Sequence, residues 1–230
     1  MKQLKITLRS LIYYLKFICR TKHCRISFSQ DSEDILLMCH FDRKKKEGFY
    51  VDVGALDPVR FSNTYLFYRK GWRGIVVEPN PKAEKLFRKT RKRDIFIGEG
   101  VARQKGELTY HCFKEPALNT FDPKIAAQRE LEGRPILKCI PRRISPLSEI
   151  LDQNMPKSIE IDFMSIDAEG MDDEIIRSNN WEKYRPLFLI AEIDSTINDF
   201  NQNSTIQFLL SKGYKPLIKS NLSTILKRID

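Results

Sequence analysis

From residue 49 onward, short apolar runs alternate with segments whose apolar residues recur at helical spacing. FYVDVG (49–54), RGIVVE (73–78), DIFIGEGVA (94–102), IDFMSID (161–167) and PLFLIAEI (186–193) read as strands. Helices are expected over SNTYLFYRK, closed by Gly71, over the segment that Asn80 caps with Pro81 at its first position, and over PLSEILDQ and MDDEIIRS. DFNQNSTIQFLLSKG predicts a last helix, and YKPLIK with STILKR, joined through Ser220 and Asn221, predicts a closing hairpin. Upstream, SQDSEDILLMCHF predicts a helix with Ser29 as its cap and early acids at its positive end. The stretch 104–145 is less regular, with strands expected only in ELTYHCF and ILKCIPRRI.

Several of these strands are apolar throughout, which requires a parallel sheet covered by helices on both faces. With 230 residues, no internal repeat and no low-complexity linker, one α/β domain over 26–230 is expected, preceded by a basic segment at 1–25. That segment holds seven of the lysines and arginines and no acid, so most of the net charge of +10 is local to it. Leu4, Leu8, Leu11, Leu15 and Ile18 fall on one helical stripe with Lys2, Lys5, Arg9, Lys16 and Arg20 across from it. Its longest apolar run is far too short to span a bilayer, and Lys16 breaks any signal-peptide core. Residues 1–20 therefore fit either a helix packed on the domain or a peripheral contact with a membrane surface.

Five cysteines without a CxxC pair fit reduced, packed thiols and a cytoplasmic setting. HExxH, the phosphate-binding GxxxxGK[ST] loop and GxSxG are absent, which argues against a zinc protease, a P-loop ATPase and a serine hydrolase. The run Arg88 to Arg93 reads as the wet face of a helix, because no aromatic residues are interleaved to stack bases, and nucleic acid is not the expected partner.

Candidate chemistry lies at the strand ends. The first strand finishes in Asp52-Val53-Gly54-Ala55, an acid before a glycine turn, and the second in Glu78. A glycine there lets the backbone approach a ligand, and a carboxylate after the second strand can accept hydrogen bonds from both hydroxyls of a ribose. GxGxxG is missing, so a dinucleotide pyrophosphate is not indicated; one glycine with an upstream Asp52 suits a cationic cofactor without phosphates. The fourth strand ends in SIDAEG, with Asp167 and Glu169, and the fifth in Glu192 and Asp194.

Together these segments resemble the FkbM family of S-adenosylmethionine-dependent methyltransferases. SQDSED (29–34), FYVDVGALDP (49–58), FSNTYLFYRKGWRGIVVEPNP (61–81), FMSIDAEGMDDEII (163–176) and the downstream LFLIAEI carry the likeness in the family's order, over roughly residues 26 to 195. The resemblance implies a class I methyltransferase fold: a Rossmann-like three-layer sandwich with a mostly parallel sheet and a C-terminal antiparallel hairpin. It also implies O-methylation of a hydroxyl on a sugar, glycan or other small metabolite. By position, Asp52, Gly54 and Ala55 match the family's cofactor loop, Glu78 its ribose-binding acid, and Asp167, Glu169 and Gly170 its DxEG segment. Ser32 departs from the family, which commonly has glycine before the Glu-Asp pair.

A hydroxyl acceptor must lose a proton, so a base or an acidifying metal is needed. Asp167, Glu169 and Glu192, with Asp194, are the candidates for base or divalent-metal ligand, and His111 is a weaker one. The net charge leaves an RNA methyltransferase as one rival reading, and a non-catalytic interaction or trafficking module as another.

Overall fold

The computed structural model describes residues 25–42, 44–193 and 202–229, with isolated positions at 10, 12, 13, 16 and 17. The amphipathic helix expected at 1–25 and the acid Asp194 lie outside the described residues.

Seven strands form the main sheet. They are β1 (Phe49–Val53), β2 (Arg73–Val77), β3 (Ile95–Ile97), β7 (Phe163–Ile166), β8 (Phe188–Glu192), β9 (Tyr214–Lys219) and β10 (Ser223–Arg228). Their order is β3-β2-β1-β7-β8-β10-β9. Pairing is parallel from β3 to β8, and β10 runs antiparallel to both β8 and β9. The order reverses beside β1, which opens a crevice at the carboxyl ends of β1 and β7. This is the class I methyltransferase arrangement.

Both faces of the sheet are covered, for the reason the apolar strands require. Val51, Val53, Ile75, Met164 and Leu189 pack on one side against α5 (Leu147–Asn154), α6 (Asp172–Ser178) and α7 (Ser204–Ser211). Tyr50, Val76, Phe163 and Ile190 pack on the other against α1 (Glu33–Met38), α2 (Tyr65–Arg69) and α3 (Ala83–Thr90), with Trp72 and Phe41 among them.

The basic run along and just beyond α3 behaves as expected at Arg88, Lys89, Lys92 and Arg93, which are exposed, but not at Arg91. Arg91 is 1% exposed. Its guanidinium pairs with Asp94 at 2.7 Å and donates to the Tyr50 and Thr64 hydroxyls, both at 2.9 Å. A cation can enter such an interior only when its donors are satisfied this fully. Helical spacing marks which face a residue lies on; it does not reveal a buried partner.

Two further expectations change. The third predicted strand splits: β3 stays in the main sheet, while β4 (Gly100–Val101) joins a separate sheet of order β4-β6-β5 with β5 (Gly106–Cys112) and β6 (Lys138–Ser145). The irregular middle also contains a 3-10 turn (Pro116–Leu118) and a helix, α4 (Pro123–Leu131), that lacks a sustained apolar stripe. Its start is legible: the Asp122 carboxylate accepts from the Lys124 and Ile125 amides, and Pro123 occupies the first helical position. Among the described cysteines, Cys39 and Cys139 are exposed, Cys112 is half-buried and none is bridged, so these thiols are less packed than the composition suggests.

The SQDSED turn takes the conformation that the departure from glycine calls into question. Ser32 has φ 67°, in the left-handed region where a side chain is costly. Ser29 does receive the Asp34 amide, at 3.2 Å, although the helix itself begins at Glu33. Glu33 and Asp34 are fully buried acids that serve as acceptors. Asp34 accepts from the Ser27 and Ser29 hydroxyls and the Phe28 amide; Glu33 accepts from the Asp31 amide and the Ser223 hydroxyl. The turn is thereby held to the start of β10.

Candidate active site

A crevice at the sheet's carboxyl edge encloses about 720 Å³, counted to its open mouth. Its floor is the turn after β1. Gly54 has φ 78°, and a Cβ there would lie 1.8 Å from the backbone oxygen of Asp167. The turn is tied to β2, since the Gly54 amide donates to the Val77 carbonyl at 2.9 Å. Two non-glycine residues that line the crevice, Leu56 (φ 52°) and Phe61 (φ 56°), are also left-handed, as is Glu169 (φ 51°). Backbone conformations of this cost are retained only where the surroundings enforce them, and they concentrate at functional sites.

Glu78 stands at the end of β2 and lines the crevice, 4% exposed. One carboxylate oxygen accepts the Leu56 amide at 2.8 Å and the other the Asn80 amide at 2.7 Å. Burial raises its pKa, and those backbone bonds oppose the rise. Each oxygen retains a further acceptor position, which suits a vicinal diol. Tyr110, from β5, lines the same wall.

Asp167, Glu169 and Glu192 converge as expected. Asp167 and Glu169 line the main crevice, and all three line a smaller recess with Glu33, Asn63 and Ser223. Burial pushes the Asp167 carboxyl well above the usual carboxylate range, reinforced by the charges of Asp172, Glu192 and Glu169. Like charges gathered away from water favour the protonated form of Asp167. Glu169 is also raised by burial, but Arg129 on α4 pairs with it and opposes that shift. Asp172, at the start of α6, is pushed up to about 7 by burial first and by Glu192 second.

Three candidates sit differently. Asp52 does not line the crevice. It projects from the opposite face of β1, where it accepts from the Thr64 hydroxyl and lies 3.9 Å from the Arg91 guanidinium. It braces the base of the turn instead of facing a cofactor, because strand alternation sends 52 and 53 to opposite faces. Ala55 is likewise packed with the aromatic cluster on that side. His111 is half-buried outside the crevice, its Nδ1 3.3 Å from the Thr120 carbonyl. Among the described residues, no group of three or more His, Cys, Asp or Glu side chains is disposed to hold a metal ion.

Sequence reasoning missed Arg129, Tyr110 and Glu33. Glu33 is visible in hindsight as part of SQDSED. The other two come from the small sheet and α4, whose packing over the crevice has no signature in periodicity.

The strand order and the acid-rimmed crevice at its reversal point define a class I methyltransferase fold. A model of the FkbM methyltransferase domain matches residues 52–216, and the chain belongs to that family. No curated protein matches it significantly. Among solved structures, it is similar to the FkbM methyltransferase of Methylobacillus flagellatus KT, with 12% identity and a TM-score of 0.40 over 90% of this chain and 45% of that one. It is also similar to a Bacillus cereus O-methyltransferase in complex with SAH, with 12% identity and a TM-score of 0.42 over 100% of this chain and 93% of that one. The Podospora anserina methyltransferase PaMTH1, bound to SAH, gives 9% identity and a TM-score of 0.40 over the full length of both. The chain spans less than half the length of the Methylobacillus protein.

Proposed function

We propose that this protein transfers a methyl group from S-adenosylmethionine to a hydroxyl of a sugar, glycan or other small metabolite. The carrying observation is the placement of Glu78, Asp167 and Glu169 around one crevice floored by Gly54. The cofactor's fit rests on two features. Gly54, where only a glycine lets the turn close against the Asp167 backbone, lines the crevice, and Glu78 is held as an acceptor with room for two hydroxyl donors. The apolar wall formed by Val101 and Phe121 suits a flat base. When bound, the sulfonium would supply an activated methyl group for in-line displacement.

The chain's own residues then have two tasks. They hold the acceptor oxygen in line, the larger contribution to such a reaction, and they take its proton. Asp167, whose carboxyl holds its proton to higher pH than a free aspartic acid, takes the hydroxyl proton once it is ionised. Arg129 fixes Glu169 at the rim, and the Thr120 hydroxyl donates to the Glu169 carbonyl at 2.8 Å, which holds this left-handed residue in place. An odd number of cysteines without a CxxC pair supports a reducing, cytoplasmic setting.

Isothermal calorimetry with SAM and SAH tests the cofactor half, and micromolar or tighter binding is expected. Absence of binding by either would overturn the enzyme reading. Transfer of a labelled methyl group to hydroxylated glycans, with none to RNA, is the outcome expected for the acceptor half.

A further inference from the structure

The amino ends of β1, β2 and β3 carry a different surface. Three segments meet there. The Arg73 amide donates to the Gly48 carbonyl at 3.2 Å, and a Cβ on Gly71 would lie 3.1 Å from the Lys46 carbonyl oxygen. Arg93 bonds to the carbonyls of Tyr68 and Trp72, and its guanidinium stacks 3.8 Å from the Tyr68 ring. Lys44, Lys45 and Lys46 of the first segment are exposed, as are Arg69, Lys70 and Arg73 of the second and Lys92 and Arg93 of the third. Against these eight cations, Asp42 and Glu47 are the exposed acids of the same segments among the described residues. Lys45 reaches a carboxylate, that of Asp162; among the described residues, Lys44, Lys46, Lys70, Arg73 and Lys92 form no ion pair.

We propose that this basic face docks on an anionic lipid surface. Charge complementarity is the first reason: a cluster of like charges this dense is unfavourable in isolation and is relieved by a surface of opposite sign. The second is what the face lacks. The rings beneath it, Trp72, Tyr68 and Phe41, are at most 9% exposed, so no aromatic plane is offered on which bases could stack, and the cations stand as point charges suited to headgroups. The third is orientation. The face lies at the opposite end of the strands from the crevice, about 15 Å away at roughly 3.3 Å per residue, so docking leaves Glu78 and Asp167 facing away from the lipid. The sequence of residues 1–20 carries the same charge sign beside an apolar stripe, and would add a hydrophobic contact to an otherwise reversible attachment.

Co-sedimentation of the full chain with phosphatidylcholine vesicles, and with vesicles enriched in phosphatidylserine, tests this. Binding is expected only to the second, and high salt should release it. Each basic residue near such a surface strengthens binding about fivefold, so K44E/K46E/K70E/R73E should weaken it a hundredfold or more while SAH affinity stays unchanged. If that variant loses its fold, the single substitutions Lys46→Gln and Lys70→Gln should each weaken binding about fivefold. The proposal is overturned if the charge-reversed or neutralised variants bind within twofold of the parent. It is also overturned if the parent shows no preference for phosphatidylserine, or if it binds RNA and not vesicles.

Discussion

Gly54 and the backbone oxygen of Asp167 approach so closely that a Cβ at position 54 would lie 1.8 Å from that oxygen. One contact thus joins the cofactor turn of β1 to the strand that delivers the acidic rim. Ala at 54 meets both a left-handed φ and an immovable backbone atom. Gly54→Ala should cost more than about 2 kcal/mol in urea unfolding and abolish detectable SAH binding. Gly133→Ala is the control. Gly133 has φ 80° with nothing within 4 Å of the place its Cβ would take, so only the left-handed cost, about 1 kcal/mol, is expected there.

Glu78→Ala should weaken SAH binding by roughly ten- to a hundredfold, the value of about 1.5–3 kcal/mol in charged-acceptor hydrogen bonds. It should also lower the melting temperature, because the amides of Leu56 and Asn80 lose their acceptor. Calorimetry run well below that temperature separates the two effects. Wild-type affinity in the variant would remove Glu78 from the cofactor site.

The raised pKa of Asp167 has a kinetic signature. Asp167 accepts a proton only when it is ionised, so kcat should fall as pH drops, with an acid limb above the ordinary carboxylate range. Asp167→Asn should lower kcat by roughly 10²–10⁴ and shift that limb, with a much smaller change in SAH affinity. A loss confined to SAH affinity would make Asp167 a cofactor ligand instead.

Asp172 ties stability to pH. Its folded pKa of about 7 exceeds the ordinary 3.8, so the native protein keeps a proton that the unfolded chain releases. Stability should therefore fall as pH rises from about 4 to about 7 and stay lower above that, by at most about 1.4 kcal/mol per pH unit. Asp172→Asn retains an acceptor for the Ala168 amide and should flatten the slope. Urea midpoints across that range measure it; an unchanged slope would exonerate Asp172.

Much of this protein is written locally. Apolar runs from FYVDV to FLIAE specified buried parallel strands, since no other segment type consumes continuous apolar sequence of that length while remaining covered on both faces. Gly54, Glu78, Asp167 and Glu192 were recognisable because strand ends and glycine turns occupy fixed places in such a sheet. Tertiary structure decided what local pattern cannot encode. Strand pleat turned Asp52 to the opposite face, into contact with Thr64 and within 3.9 Å of Arg91, a residue whose place at the end of α3 looks solvent-facing until Tyr50 and Asp94 come to meet it. Likewise α4, with only a capping Asp-Pro to announce it, brought Arg129 to Glu169 across 40 residues of chain. The raised pKa of Asp167 arose only when the fold buried it beside Asp172, Glu192 and Glu169, because a carboxyl's pKa is determined by its surroundings and the surroundings come from the fold.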